Sequence, residues 1–400
     1  MLESISFKNY KCLSDKSFDL KPLNIFSGYN GRGKSSVMQA ILMLAQSFKQ
    51  NSLEKLHVNG MFVKLGDFDE LLYEPNESLM MEFSMNISDP EMKLHPVNLG
   101  FEMTDDYKVG KVVKCEIDGD DYYSSQSMLR GQNEDKGGKT LQALPSLVYD
   151  LFEPRNIHYV SANRMGPVSF VERKETPEYH SVGANGDMTI NTLYTFKGEI
   201  DKRMNVDAND EKGHTLKESA GQWIDYIMNG ERGAVAVDDG TEEEKKKRSS
   251  VLSLDFVLNE RSYHSYNVGF GYSYILSIVV TALIAKSGNI VIVENPEAHL
   301  HPEAQFRLTQ LLVKLASRGV QVFIETHSEH VVNAVRIAII EREVPIRNDQ
   351  VGLFFFDNDY TKKDLYIEKN GRINNWPSHF FDQYQWELAK ILQDGAAIES

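Results

Sequence analysis

The chain opens on a short alternating run, LESISF, and a second β-type run, FDLKPLNIF, leads directly into a glycine-rich turn. Alternation of apolar and polar positions predicts strands with one buried face. From Lys34 the spacing changes. Val37, Ile41, Leu42, Leu44, Ala45 and Phe48 recur at helical intervals, so a helix is predicted immediately after the turn. Residues 57–155 alternate short β-type runs (LMMEFSMNI, LGFEM, KVVKCEI) with polar turns, the pattern of an inserted antiparallel lobe, and Gly131–Thr140 reads as its loosest loop. Residues 156–264 combine a strand (IHYVSA), a glycine-rich stretch and a helical stretch near Leu216–Met228, and read as a lid. Beyond residue 265 a helix (Tyr272–Ala285), an apolar strand (NIVIV), a helix (Pro302–Arg318) and a second apolar strand (VQVFIE) alternate. Such alternation predicts an α/β protein with a parallel sheet covered on both faces. The tail, 351–400, adds strands GLFFF and DLYIE and a helix near Phe381–Leu392.

Composition narrows this picture mainly by exclusion. A 400-residue chain that is 41% hydrophobic and 25% charged can bury a large core. No heptad pattern is sustained and no solenoid-length repeat recurs, so coiled-coil arms and repeat architectures are not expected. The N-terminus lacks the apolar core of a signal peptide, and no apolar run reaches the roughly 18 residues of a bilayer span, so a cytoplasmic protein without membrane contact is expected. Cys12 and Cys115 have no pairing or metal-ligand spacing and read as packed or surface thiols. A net charge of −15 opposes nonspecific binding to nucleic acid, leaving such contact to a local patch or a partner. The charges of Glu242–Arg248 nearly cancel, which reads as a solvated segment.

The chemistry concentrates in four short motifs. GYNGRGKS, Gly28–Ser35, fits G-x-x-x-x-G-K-[ST] between a predicted strand and a predicted helix. Such a loop closes backbone N–H groups around a phosphate at a helix N-terminus, with Lys34 reaching the β and γ oxygens and Ser35 ligating Mg²⁺. Asn30, Gly31, Gly33, Lys34, Ser35 and Ser36 are therefore the candidate nucleotide-binding residues. Strand Ile290–Glu294 ends in a carboxylate aimed at the Mg²⁺ shell, which makes Ser35 and Glu294 the candidate metal ligands. Glu297 is the next acid able to polarise an attacking water. Strand VQVFIE ends beside His327, a candidate γ-phosphate sensor, so Glu294, Glu297 and His327 form the candidate catalytic set. NVGFGYS, Asn267–Ser273, opens an apolar helix, and its amides, with Gly271 and the Ser273 hydroxyl, would form a second anion site. One chain has no second phosphate to fill that site, whereas a two-fold dimer has one. His299 and His301 read as turn histidines before Pro302 rather than zinc ligands, and Asp357-Asn-Asp359 reads as a turn rather than a nuclease centre.

Together GYNGRGKS, NVGFGYS, VIVENPEAHLHP and IETHSEH resemble the phosphate-loop, signature, Walker B and switch-histidine elements of an ABC-type ATPase. The resemblance is to the bacterial branch that includes OLD-family, SMC-like and antiphage-defence ATPases such as those of Septu and PARIS. YVSANRMGP and NNWPSHFFDQ resemble segments of a further subgroup of that branch. The resemblance implies an ABC-ATPase head, with 1–56 and 265–350 forming the head around the antiparallel lobe and helical lid. It implies ATP and Mg²⁺ as cofactors, a homodimer in which Gly271 and Ser273 act on the partner's nucleotide, and a separate effector such as a nuclease, since the sequence after His327 is too short for a nuclease domain. Two departures stand out: the usual Walker B aspartate is Glu294, and the usual catalytic glutamate beside it is Asn295. An amide cannot accept the proton of the attacking water, so turnover either uses Glu297, is slow, or is lost.

Overall fold

The computed structural model describes residues 1–49, 52–74, 78–104, 108–122, 144–168, 170–174, 179–228, 234–238, 251–258, 261–377 and 380–398. The expected loop at Gly131–Thr140 and the charged run at Glu242–Arg248 lie outside them. At the centre is a seven-stranded sheet in the order Ile157–Val160, Ile290–Glu294, Gln321–Glu325, Leu23–Gly28, Val351–Phe356, Lys362–Ile367, Ile373–Asn374. The first five strands are parallel and the last two antiparallel.

The sheet is apolar on both faces because both are covered. Leu23, Ile25, Val291, Val293, Val322, Ile324, Leu353 and Phe355 point into one core with the helices Phe270–Ile284, Pro302–Ala316 and Glu329–Glu341. Their neighbours Phe26, Ile290, Ile292, Phe323, Phe354 and Phe356 point into a second core around the helix Lys34–Ser47. That helix is buried on nearly every side, since its outer face meets a second, antiparallel sheet whose Ile5, Phe7, Phe83 and Phe101 belong to the same core.

The antiparallel sheet runs Asp120–Asp121, Val109–Ile117, Leu94–Met103, Met80–Ser88, Leu2–Lys8, Lys16–Asp19, with Lys55–His57 also on Val109–Ile117. Three sequence expectations change. The run FDLKPLNIF is two strands in two sheets, because the chain turns at Leu20–Pro22, where Asn24 accepts the Lys21 N–H. Strands 2–8 and 16–19, grouped by sequence with the phosphate-loop part, belong to the antiparallel lobe and cover the edge that Met80–Ser88 would otherwise leave unpaired. Likewise Ile157–Val160, grouped with the lid, is the edge strand of the central sheet.

The lid holds the helix Leu216–Met228 and a short helix Thr189–Thr195, and adds a four-stranded antiparallel sheet built on Val251–Leu258. No helix among the described residues is long and apolar enough to cross a membrane.

Candidate nucleotide-binding site

The phosphate loop is shaped by glycines that no other residue could replace without strain. Gly28, Gly31 and Gly33 have φ of 122°, 70° and 104°. A Cβ on Gly28 would stand 2.2 Å from the Phe356 carbonyl oxygen, and one on Gly33 would stand 2.7 Å from Leu13 Cδ2 and 2.8 Å from Cys12 Sγ. Gly33 caps the helix Lys34–Ser47 without any side-chain hydrogen bond, so the first-turn N–H groups remain available to an anion. Lys34 is buried, and its Nζ donates to the carbonyls of Gly28 (3.0 Å) and Tyr29 (2.7 Å). Burial lowers its pKa, and Glu325 opposes the shift. A cradle of free amides with a lysine folded into it fits a phosphate chain. Arg32 ties the loop to the tail, donating to Asn358 Oδ1 (2.8 Å) and lying 4.3 Å over the Tyr360 ring. Asp357–Asp359 is the turn expected of it, closed by the Asp357–Thr361 hydrogen bond and by Lys363 on Asp357.

Facing this loop is an edge lined with acids. Glu294 ends its strand in register with Glu325, at the end of the next. Glu294 Oε2 accepts the Ala162 N–H (3.0 Å), and the Tyr159 hydroxyl also bonds Glu294. Asn295 follows in a left-handed conformation (φ 44°), donates its N–H to the Glu325 carbonyl (2.8 Å), and has a buried Oδ1 without a partner. The turn is fastened by Arg164, whose Nη1 donates to the carbonyls of Ser161 (2.9 Å) and Glu294 (2.6 Å) while Nη2 donates to that of Asn295 (2.7 Å). Its guanidinium lies 4.3 Å over the Tyr274 ring, and burial lowers its pKa to about 10.

Glu297 Oε1 accepts the His327 N–H (2.7 Å), its Oε2 is buried without a partner, and burial raises its pKa. His327 is exposed, and desolvation followed by the charge of Lys34 lowers its imidazole pKa. With Ser27, Gly28, Tyr29 and Asn30 it lines a cavity of about 320 Å³, together with Phe355 and Phe380–Asp382.

Glu325 is the residue that sequence reasoning passed over. It is buried and hydrogen-bonded to the Ser35 side chain, and its Oε2 has no partner. Burial raises its pKa to about 7, reinforced by Glu294 and Glu297 and opposed by Ser35 and Lys34. The available signal was the one that marked Glu294, an apolar strand ending in an acid. Among the described residues no three His, Cys, Asp or Glu side chains gather into a metal site by themselves. Ser35 and the strand-end carboxylates instead suit a Mg²⁺ ion that arrives with phosphates.

Gly271 and Ser273 lie elsewhere. Gly269 caps the helix Phe270–Ile284 with no side-chain hydrogen bond, and Tyr266, Asn267 and Phe270 around it are exposed. A Cβ on Gly271 would meet the His299 carbonyl and Leu300 at 3.2 Å, and the Phe270 ring packs 4.7 Å from that of His299. Ser273 corrects an expectation. One turn into the helix, it is buried facing Met165, Gly166 and Gly186, with its hydroxyl unpartnered, so within one chain the Ser273 hydroxyl is not presented beside the amides at this helix end. His301 caps its helix by accepting the Glu303 N–H, as a turn histidine would.

The AAA ATPase domain family matches residues 1–136 and 185–332, well over half of the chain. The protein belongs to that family. Residues 346–391 of this ATPase also match a family described as a protein of unknown function, DUF3696. It is similar to the OLD nuclease of Thermus scotoductus, 21% identical over 370 residues covering 88% of this chain and 63% of that protein. It is also similar to the Old nuclease of Escherichia phage P2, 22% identical over 366 residues covering 84% of this chain and 59% of that protein. The chain thus spans about three fifths of each relative's length. The OLD-type resemblance read from the four motifs agrees with the family match and these relatives. Among solved structures, the SMC head domain from Thermotoga maritima is 12% identical and covers 92% of this chain and 99% of that one, with a TM-score of 0.45. The Pyrococcus furiosus Smc head is 9% identical and covers 98% and 99%, with a TM-score of 0.48.

Proposed function

We propose that this ATPase binds Mg-ATP, hydrolyses it slowly in the cytoplasm, and uses the nucleotide state of a two-fold homodimer to gate a separate effector, such as a nuclease, or a nucleic-acid transaction in antiphage defence or DNA maintenance. The observation that carries the reading is that the phosphate loop, Glu294, Glu297 and His327 meet at one end of the parallel strands. In this reading Asn30, Gly31, Gly33, Lys34, Ser35 and Ser36 hold the phosphates, and Ser35 and Glu294 hold Mg²⁺. Bound Mg²⁺ would neutralise charge on the β and γ oxygens. Lys34 then exchanges the carbonyls of Gly28 and Tyr29 for phosphate oxygens. Glu297, already holding the His327 main chain, couples that histidine to the acid edge and keeps Oε2 for a water. Asn295 makes the reaction slow, because its amide takes no proton.

Dimerisation is supported by the uncapped, exposed start of the helix Phe270–Ile284, whose amides suit a phosphate that another chain would bring. Gly271, packed on His299 and Leu300, shapes that end, and Ser273 reaches a partner's nucleotide only if the lid shifts. The named nuclease relatives support an effector of that kind, and a net charge of −15 leaves any nucleic-acid contact to a local patch or to the partner. Asn295 favours one other reading, a scaffold that holds ATP without turnover.

Light scattering with and without Mg-ATP tests the dimer. The native chain is expected to double in mass with nucleotide, and Lys34→Ala is not. A native chain that stays monomeric at saturating ATP contradicts gating. Tight binding without phosphate release above that of Lys34→Ala establishes the scaffold instead.

A further inference from the structure

Strand order places Gln321–Glu325 between the strand of Glu294 and the strand of the phosphate loop. Any cation shared by Ser35 and Glu294 therefore sits in front of Glu325. The local chemistry agrees. The Glu294 carboxylate is partly engaged by the Ala162 N–H and Tyr159, and Glu297 is tied to the His327 main chain. Glu325, 93% buried by its 7% relative exposure, bonds the Ser35 side chain and holds a second oxygen with no partner. Three carboxylates, Glu294, Glu297 and Glu325, are faced by two cations, Lys34 and Arg164, and Arg164 spends its terminal N–H groups on main-chain carbonyls. A buried carboxylate with an unused oxygen, beside two further acids, is the environment a divalent cation relieves.

We propose that Glu325 is the second carboxylate of the metal–nucleotide site, standing across the sheet from Glu294. The pair is then formed by Glu294 and Glu325 on adjacent strands rather than by consecutive residues on one. This rests on the Mg-ATP reading above and adds a residue to it. Glu325 acts on the ion and on the Ser35 hydroxyl, and its main-chain carbonyl holds the Asn295 turn in place.

The test measures affinity for a fluorescent ATP analogue with and without Mg²⁺, which needs no turnover. In the native chain Mg²⁺ strengthens binding. In Glu325→Gln that enhancement falls roughly ten- to hundredfold, while metal-free affinity is unchanged or tighter because a negative charge has been removed. Glu325→Asp restores part of it, and Glu294→Gln loses it similarly. If Glu325→Gln keeps the full enhancement, or loses metal-free and metal-dependent binding equally, Glu325 is not a metal-site carboxylate although the site itself stands. If the native chain binds no nucleotide under either condition, the Mg-ATP reading falls with it.

Discussion

The phosphate loop and the acid edge flank the same strand, Gln321–Glu325, yet they are held by different means. The loop is local, with three glycines at positive φ and a lysine bonded to carbonyls five and six residues earlier. The acid edge is assembled over long range. Arg164 grips Glu294 and Asn295 from about 130 residues away, and Glu297 reaches 30 residues to His327. A locally encoded cradle can fail on its own, whereas failure of the edge should disturb fold and chemistry together.

The largest effect belongs to the cradle. In the proposed reading Lys34→Ala loses a charge-assisted contact to phosphate and should weaken ATP binding roughly 100-fold or more, with a smaller loss of stability than at the acid edge because two carbonyls rather than three lose their donor. Calorimetric titration alongside a denaturant melt checks both halves. At the acid edge Arg164→Met leaves three carbonyls without their donor and should cost about 3 kcal/mol in a guanidinium melt, while ATP affinity falls only a few-fold. Unchanged stability would show that the edge does not depend on its clamp.

The edge strand carries a pH dependence of its own. His158 is buried, with Nε2 3.3 Å from Asn289 Oδ1, and burial lowers its pKa to about 4. The unfolded chain takes up a proton near pH 6.5 on this residue that the folded chain refuses, so the contribution of His158 to stability is full above that pH and is lost as pH falls toward 4, by up to about 3 kcal/mol. Between pH 7 and pH 5 the stability of the native chain relative to His158→Gln should fall with pH, as paired melts would show, whereas the raised pKa of Glu325 acts in the opposite sense in both chains. The smallest effect concerns the turn. Asn295→Gly should leave stability within about 0.5 kcal/mol, and Asn295→Ala should cost roughly 1 kcal/mol, because φ of 44° suits Asn and Gly better than Ala. Equal costs would mean that the side chain, not the backbone, holds the turn.

The same contrast explains what the sequence disclosed. The loop, the apolar strands of the central sheet and the helices after Lys34 and Pro302 were legible because glycine spacing and hydrophobic period are local properties. Glu325 was not, although it ends the same kind of strand as Glu294, because its closeness to Ser35 depends on which strand lies next to which. Arg164 stood out only within a segment resembling related proteins, since nothing in its neighbours says which carbonyls it will meet. The Ser273 hydroxyl was grouped with the helix-start amides as one anion site, but one turn of helix carries it onto the face covered by the lid. The run 18–26 looked continuous because β-type residues flank Lys21–Pro22, and only the pairing shows that the chain changes sheets there.

Steady-state phosphate release with saturating Mg-ATP tests the central claim most directly, comparing the native chain with Lys34→Ala, Glu297→Gln and Glu325→Gln at matched concentration. Slow release is expected from the native chain, none from Lys34→Ala, and strong loss in both glutamine variants. Native release indistinguishable from that of Lys34→Ala, under conditions where ATP is bound, would contradict it and leave a nucleotide-holding scaffold in its place.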